Sequence, residues 1–261
     1  MADTPEPEPS PRADPGSAWW HDLRAAAALL TVAPEDGTAG AAPGAALRAF
    51  PVVGLGLGVI AAVVYAIGLG LHFHEPASAV LAVGALALLT GARHELGFAA
   101  FLESLAAGDR DTRRAIAAVG RLGERGILVL LFDAALRIAL VAAFSSMREG
   151  SAALVAAAAA SRAAIPVAMH LVAPAAGAGA GAWSVRPSQE AVWTAGALGV
   201  AFVFLFLGPG GGAVAAILGI AAVAAAVWLI RRLIGGHTPA ALSFVQQTAE
   251  IALLAGALIV D

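Results

Sequence analysis

TGARHELGFAAFLESLAAGDRDTRRAIAAVGRLGERG, residues 90–126, is the one long polar interruption in an otherwise apolar chain. It holds Arg93, Arg110, Arg113, Arg114, Arg121 and Arg125, together with the acids Glu95, Glu103, Asp109, Asp111 and Glu124; Asp133 lies just past its end. On either side the chain runs in apolar stretches of the ~20-residue length that crosses a hydrocarbon core. Of its 261 residues 60% are hydrophobic and 13% charged, with a mean hydropathy of +0.84. A soluble domain carries about 25% charge, so this chain lacks the polar surface for water. The expected fold is an all-α polytopic membrane protein. It would have about six to seven transmembrane helices, an N-terminal interfacial helix and a cytoplasmic amphipathic helix. Every basic residue is Arg, and there is no Cys. That excludes disulfides, thiolate metal sites and Cys nucleophiles. The net charge of -3 is not diagnostic, and no nucleic-acid partner is expected.

Working outward, residues 1–18 are rich in Pro and acids and read as a disordered tail; residues 19–261 read as a single integral membrane domain. No basic segment precedes an apolar core, so no signal peptide is expected. Trp19 and Trp20 open a short interfacial or re-entrant helix ending at Pro34, because tryptophan favours the membrane interface. The expected spans are 50–72, 77–92, 126–146, 151–172, 190–207, 213–230 and 248–260. Residues 109–119 form the amphipathic helix, and 208–212 turn the chain. Gly54, Gly56 and Gly58 offer small surfaces for close helix packing. With a cytoplasmic N-terminus, the inside segments hold three, six, one and two arginines against Arg148 alone outside. This positive-inside bias puts 93–125 and 231–247 on the cytoplasmic face.

Three charges fall within expected spans, where each costs about 2.5–3.5 kcal/mol at a helix centre. Asp133 and Arg137 are four residues apart and can pair on one helix face, either as a packing ion pair or as part of an anion-holding cavity. Arg162 has no acid nearby in sequence. The arginines of 90–126 suit phosphate through their bidentate forks. Mixed with carboxylates at a membrane surface, they fit Mg²⁺-assisted phosphoryl transfer. The plainer reading of the same residues is a solvated cytoplasmic loop.

Ordered landmarks add to this. LTVAP (30–34), RAFPVVGLGLG (48–58), TGARHELG (90–97), AGDRDTRR (107–114), RLG (121–123), SRAA (161–164), GGHT (235–238) and QQTAE (246–250) follow one another with characteristic spacing. In that order the chain resembles the cobalamin synthase family, adenosylcobinamide-GDP ribazoletransferase, over nearly its whole length after residue 19. The resemblance implies an enzyme of the bacterial inner membrane that uses Mg²⁺. Its substrates would be adenosylcobinamide-GDP and α-ribazole, or the 5′-phosphate of α-ribazole, and its products adenosylcobalamin (phosphate) and GMP. It also implies site residues: His94, Glu103 and Glu250 as catalytic groups, with Glu103 as a metal ligand. Arg113, Arg114, Arg121, Arg162, Gly235, Gly236 and Thr238 would bind substrate or phosphate.

The chain departs from the family pattern at acids. Leu96, Ala100, Val119 and Ala240 stand where that pattern has Asp, and Glu103 keeps the charge of a fifth. Glu95 lies on a different helix face from the missing acid at 96. Two functions follow: a transferase with a diverged metal site, or a non-catalytic relative that keeps the fold and binds corrinoid or phosphate. A transporter is a more distant third, and the sequence has no clear inverted repeat to support it.

Overall fold

The computed structural model describes residues 15–34, 43–176 and 182–261, and every regular element among them is helical. The elements are α1 (Pro15–Leu30), α2 (Pro43–Ala46), α3 (Phe50–Gly70), α4 (Glu75–Thr90), α5 (Arg93–Ser104), α6 (Arg110–Val119), α7 (Glu124–Ala142), α8 (Met147–Leu171), α9 (Gln189–Leu233) and α10 (Pro239–Leu258). Most of the expected tail lies outside the described residues. Its last four positions belong to α1, which starts at Pro15, a residue whose fixed φ and missing N–H suit a first helical position.

Four helical segments are long and apolar enough to cross a membrane: 44–70, α8, α9 and α10. Counting α4 and α5 as one broken span makes five. This establishes a polytopic helical membrane protein, while the list of qualifying helices stops short of six to seven. Two differences from the expected spans account for most of the gap. First, α7 carries Glu124, Arg125, Asp133 and Arg137 within nineteen residues, too many charges for an apolar segment. Its apolar side chains Leu128, Leu131 and Phe132 are exposed, and Asp133 and Arg137 are buried. Its polarity therefore points into the protein. Second, α9 has 45 residues, about 67 Å at 1.5 Å per residue, twice a bilayer core. It breaks at Gly208, whose φ of 68° is left-handed, a conformation glycine adopts without steric penalty. A Cβ added at Gly212 would lie 3.2 Å from the Phe204 Cα, although eight straight-helix residues span about 12 Å. The chain therefore folds back, and 189–207 and 209–233 are two arms.

The centre of the bundle is α8, whose alanine run is buried. It meets α3 at Gly54 and Gly58, where an added Cβ would sit 2.4 Å from the Ala158 carbonyl oxygen and 2.7 Å from the Val155 Cα. These two glycines, four residues apart, let the backbones touch, whereas Gly56 has nothing within 4 Å and faces away. Helix α1 buries Ala26 and Leu30 in the core and adds polar ties. Arg48 pairs with Asp22 at 2.6 Å and lies 4.5 Å over the Trp19 ring. Arg93 donates to the carbonyls of Ala28 and Leu29 at the helix end, where lone carbonyls need donors.

The loops sort onto two faces. On one, Arg231 donates to the Leu171 carbonyl, Arg110 to that of Arg232 and Arg114 to that of Ile234. On the same face, the Ala175 N–H donates to the His237 carbonyl and the His237 N–H to the Ala173 carbonyl, both at 2.9 Å. On the other, the Ser145 N–H donates to the Asp261 carboxylate at 2.6 Å. A cavity of about 450 Å³ there is lined by residues of 144–152, 205–211 and 257–261.

Candidate functional site

The polar stretch folds as α5 and α6 rather than as a loop. The chain turns through left-handed Gly91 and Ala92 and bends 88° between α4 and α5. This drives α5 onto α10. A Cβ on Gly97 would meet the Ser243 hydroxyl at 2.3 Å and the Ala240 Cα at 3.6 Å. Helix α6 starts at Asp109, whose carboxylate accepts from the Thr112 backbone N–H at 2.9 Å and the Thr112 hydroxyl at 2.7 Å. This N-cap arrangement holds the Asp109 carboxyl below the usual carboxylate range.

The bend delivers Glu95 to a closed ionic cluster between α5, α7, α8 and α10. The Arg137 Nη1 donates to Glu95 Oε1 at 2.8 Å, and its Nη2 donates to Glu250 Oε1 at 2.5 Å. The other Glu250 oxygen accepts from Arg162, from Gln246 at 2.7 Å and from the Ser161 hydroxyl at 3.2 Å. Arg137 and Arg162 are each 1% exposed and Glu250 2%. Buried ions of this kind persist only when paired and hydrogen-bonded. His94 is buried on the same helix end, with Arg162, Glu95, Glu250 and Arg137 as charged neighbours, and its Nε2 has no hydrogen-bond partner.

Two of the sequence-based pairings change. The local Asp133–Arg137 pair is loose, at 3.9 Å, because Arg137 is drawn to Glu95 and Glu250. Arg162, without an acid nearby in sequence, has its partner 88 residues away in Glu250. Glu95 is the site residue that sequence reasoning passed over, and Arg137 was weighed only as a partner of Asp133. The available signal was two opposite charges in apolar surroundings, each needing a partner.

Of the candidate catalytic residues, His94 and Glu250 come together with Arg162, and Glu103 is not with them. It lies nine residues from His94, about 13 Å along α5, and accepts from the Gly126 N–H at 2.5 Å. An added Cβ on Gly123 would lie 2.7 Å from the same carboxylate. Glu103 thus sits on the N-terminus of α7, where free N–H groups favour an anion. Arg121 is exposed in the turn before α7.

Arg114, with Arg110, forms a second group beside Gly235. An added Cβ there would lie 3.4 Å from Arg110 and 3.5 Å from Arg114. Arg113 is turned to the Ala107 carbonyl at 2.9 Å. Gly235 is left-handed, with φ 80°, and Gly236 packs against the Ala175 backbone. Thr238 caps α10 by accepting from the Ala241 N–H. His237 is buried, and neither ring nitrogen has a partner among the described residues. Burial lowers its pKa to about 4.

The positions that depart from the resemblance split by environment. Ala100 and Ala240 are buried at the α5–α10 contact, where Phe101 and Phe98 stack on Phe244 at 4.4 and 5.7 Å. Leu96 and Val119 are exposed. Open cavities lie away from the ionic cluster. One, of about 250 Å³, runs between α8, both arms of α9 and α10, and another, of about 730 Å³, lies beside His170 and Trp193.

The sequence matches the family described as Cobalamin-5-phosphate synthase over residues 22–258. It is 37% identical over 237 residues to the adenosylcobinamide-GDP ribazoletransferase of Bradyrhizobium diazoefficiens, covering 89% of this chain and 91% of that protein. The protein of the same name from Azorhizobium caulinodans is 34% identical over 218 residues, 81% of this chain and 83% of its own. That from Sinorhizobium medicae is 33% identical over 254 residues, 90% and 95%. No solved structure matches.

Proposed function

The chain belongs to the cobalamin-5-phosphate synthase family, and from that premise we propose that it transfers adenosylcobinamide phosphate from adenosylcobinamide-GDP to α-ribazole or its 5′-phosphate. A ribazole hydroxyl attacks the corrinoid-side phosphorus, the bond to GMP breaks, and the hydroxyl proton passes to a base. The observation that carries this reading is the meeting of α5 with α10, which buries His94, Glu250 and Arg162 together, about 18 Å along α10 from the turn that Arg110 and Arg114 hold.

His94 is the proposed proton acceptor, because one ring nitrogen is unpartnered. Both oxygens of Glu250 are occupied by guanidinium groups, so it positions rather than accepts. Arg110 and Arg114, with Arg113 and Arg121 nearby on the chain, take the diphosphate through charge-assisted bonds. Gly235, Gly236 and Thr238 hold the turn on which these arginines rest. Mg²⁺ is the expected cofactor of the reaction. A resident Mg²⁺ takes one or two free carboxylates. The described residues contain no group of three or more His, Asp or Glu disposed to hold a metal, and Glu103 is engaged by Gly126. The described residues thus offer no three-ligand site and Glu103 is not a free carboxylate; the steps assigned here rest on the chain's own residues. Arginine bias supports an inner-membrane location with 93–125 and 231–247 in the cytoplasm.

Membranes containing the protein, supplied with adenosylcobinamide-GDP and α-ribazole, should form cobalamin and GMP. Arg114→Gln should raise KM for adenosylcobinamide-GDP by roughly tenfold, one lost charge-assisted hydrogen bond. Good expression with bound corrinoid and no product would support the non-catalytic relative instead.

A further inference from the structure

The buried cluster does not balance its charge. It contains three carboxylates, Glu95, Asp133 and Glu250, and two guanidiniums, Arg137 and Arg162. Arginine does not give up its proton in a protein. His94, the one further titratable group in the cluster, is buried with two charged neighbours of each sign. All five ionic side chains are at least nine-tenths buried. One negative charge is left in a region that cannot solvate it, which demands either neutralisation or a counter-ion.

The surplus sits on Asp133. Glu250 has donors on both oxygens and Glu95 has Arg137 at 2.8 Å. Asp133 has only the Gln247 amide, at 3.3 Å to Oδ2, and its Oδ1 has no partner. Among the cluster's side chains the oxygens Asp133 Oδ1, Glu95 Oε2, Gln247 Oε1 and Gln246 Oε1 have no partner, and neither have the donors Arg137 Nε and Arg162 Nε, which do not reach Asp133 Oδ1. Buried oxygens without donors need a cation or a proton. Of the elements packed on α7, α8 brings Arg162 and α5 brings Glu103 only to the far, N-terminal end of α7 at Gly126. Between Pro76 and Thr90 α4 has none, α5 brings His94 and Glu95, and α10 brings Glu250.

We propose that Asp133, with Glu95 and Gln247, forms a buried site for one monovalent cation, either H⁺ or an alkali-metal ion. The site lies between α5, α7 and α10. Emptying it would leave a third full carboxylate 3.9 Å from Arg137, in competition with Glu95 for the same guanidinium nitrogen. The bound cation thereby keeps α5, and His94 with it, fastened to α7.

The test uses the full chain in detergent, without substrate. Asp133→Asn removes the surplus charge while keeping shape, so its melting temperature should stay within a few degrees of wild type. Glu250→Gln, which leaves Arg162 buried without a carboxylate partner, should lower it by roughly 10 °C. Infrared spectroscopy and salt titration then separate the sources. A protonated-carboxyl carbonyl band present in wild type and absent in Asp133→Asn identifies H⁺. A melting temperature that rises with Na⁺ or K⁺ at constant ionic strength, and no longer does so in Asp133→Asn, identifies the metal ion. If neither signal appears, or if Asp133→Asn fails to fold or melts as low as Glu250→Gln, the site does not exist.

Discussion

At the residue scale, three acids that look equivalent in sequence have separate duties. Glu250 is shared by two buried arginines, so Glu250→Gln should destabilise the protein by about 3–5 kcal/mol, the usual effect of breaking a buried pair from one side. Glu103 serves the N-terminus of α7. Glu103→Gln should cost only about 1 kcal/mol and leave any Mg²⁺ dependence of product formation unchanged; thermal denaturation and a Mg²⁺ titration check both. His237 sets an acid limit. Its pKa, ordinarily near 6.5, is about 4 in the fold because burial penalises the charged ring. Below pH 6.5 the unfolded chain binds a proton that the folded chain refuses. Stability should therefore fall as pH drops from 6.5 to 4 and level off below. His237→Gln should flatten that slope in melting curves across the window. Glu95 shows what a residue-by-residue reading misses. Its helix face looked wrong for the acid it might replace, but that face is set by the bend at Gly91 and Ala92.

At the element scale, close packing against α8 sets the tolerance to change. Gly54 and Gly58 touch the α8 backbone, so Gly54→Leu or Gly58→Leu must separate the helices. Each should destabilise by about 1–3 kcal/mol as an overpacked contact, whereas Gly56→Leu, with open space before it, should melt like wild type. The helices at 110–119 and 15–30 and the reversal near 208–212 were legible because each is a local signal: an Asp cap, an apolar alanine-leucine run, a Gly-Pro-Gly run. The α4–α5 bend was not legible. Gly91 marks the end of α4 locally, but the direction α5 takes from there is set by Ser243 and Phe244, about 150 residues on.

At the scale of the whole molecule, α6, the end of α8 at Leu171 and the turn 231–238 gather on one face and Ser145 with Asp261 on the other. Because the chain has no cysteine, single replacements report sidedness without background. Arg121→Cys should react with an impermeant maleimide only in inside-out vesicles, and Ser145→Cys only in right-side-out cells; the reverse pattern would invert the assigned orientation. Composition alone determined that this protein is helical and lives in a bilayer, because apolar length and arginine bias are sums over local sequence. Ordered landmarks alone indicated its family. Which charges meet was decided only by the tertiary structure. In a low-dielectric core each buried ion must find its counter-ion across helices, and the partners Glu95, Arg137, Arg162 and Glu250 are brought together from four elements spread over more than 150 residues of chain.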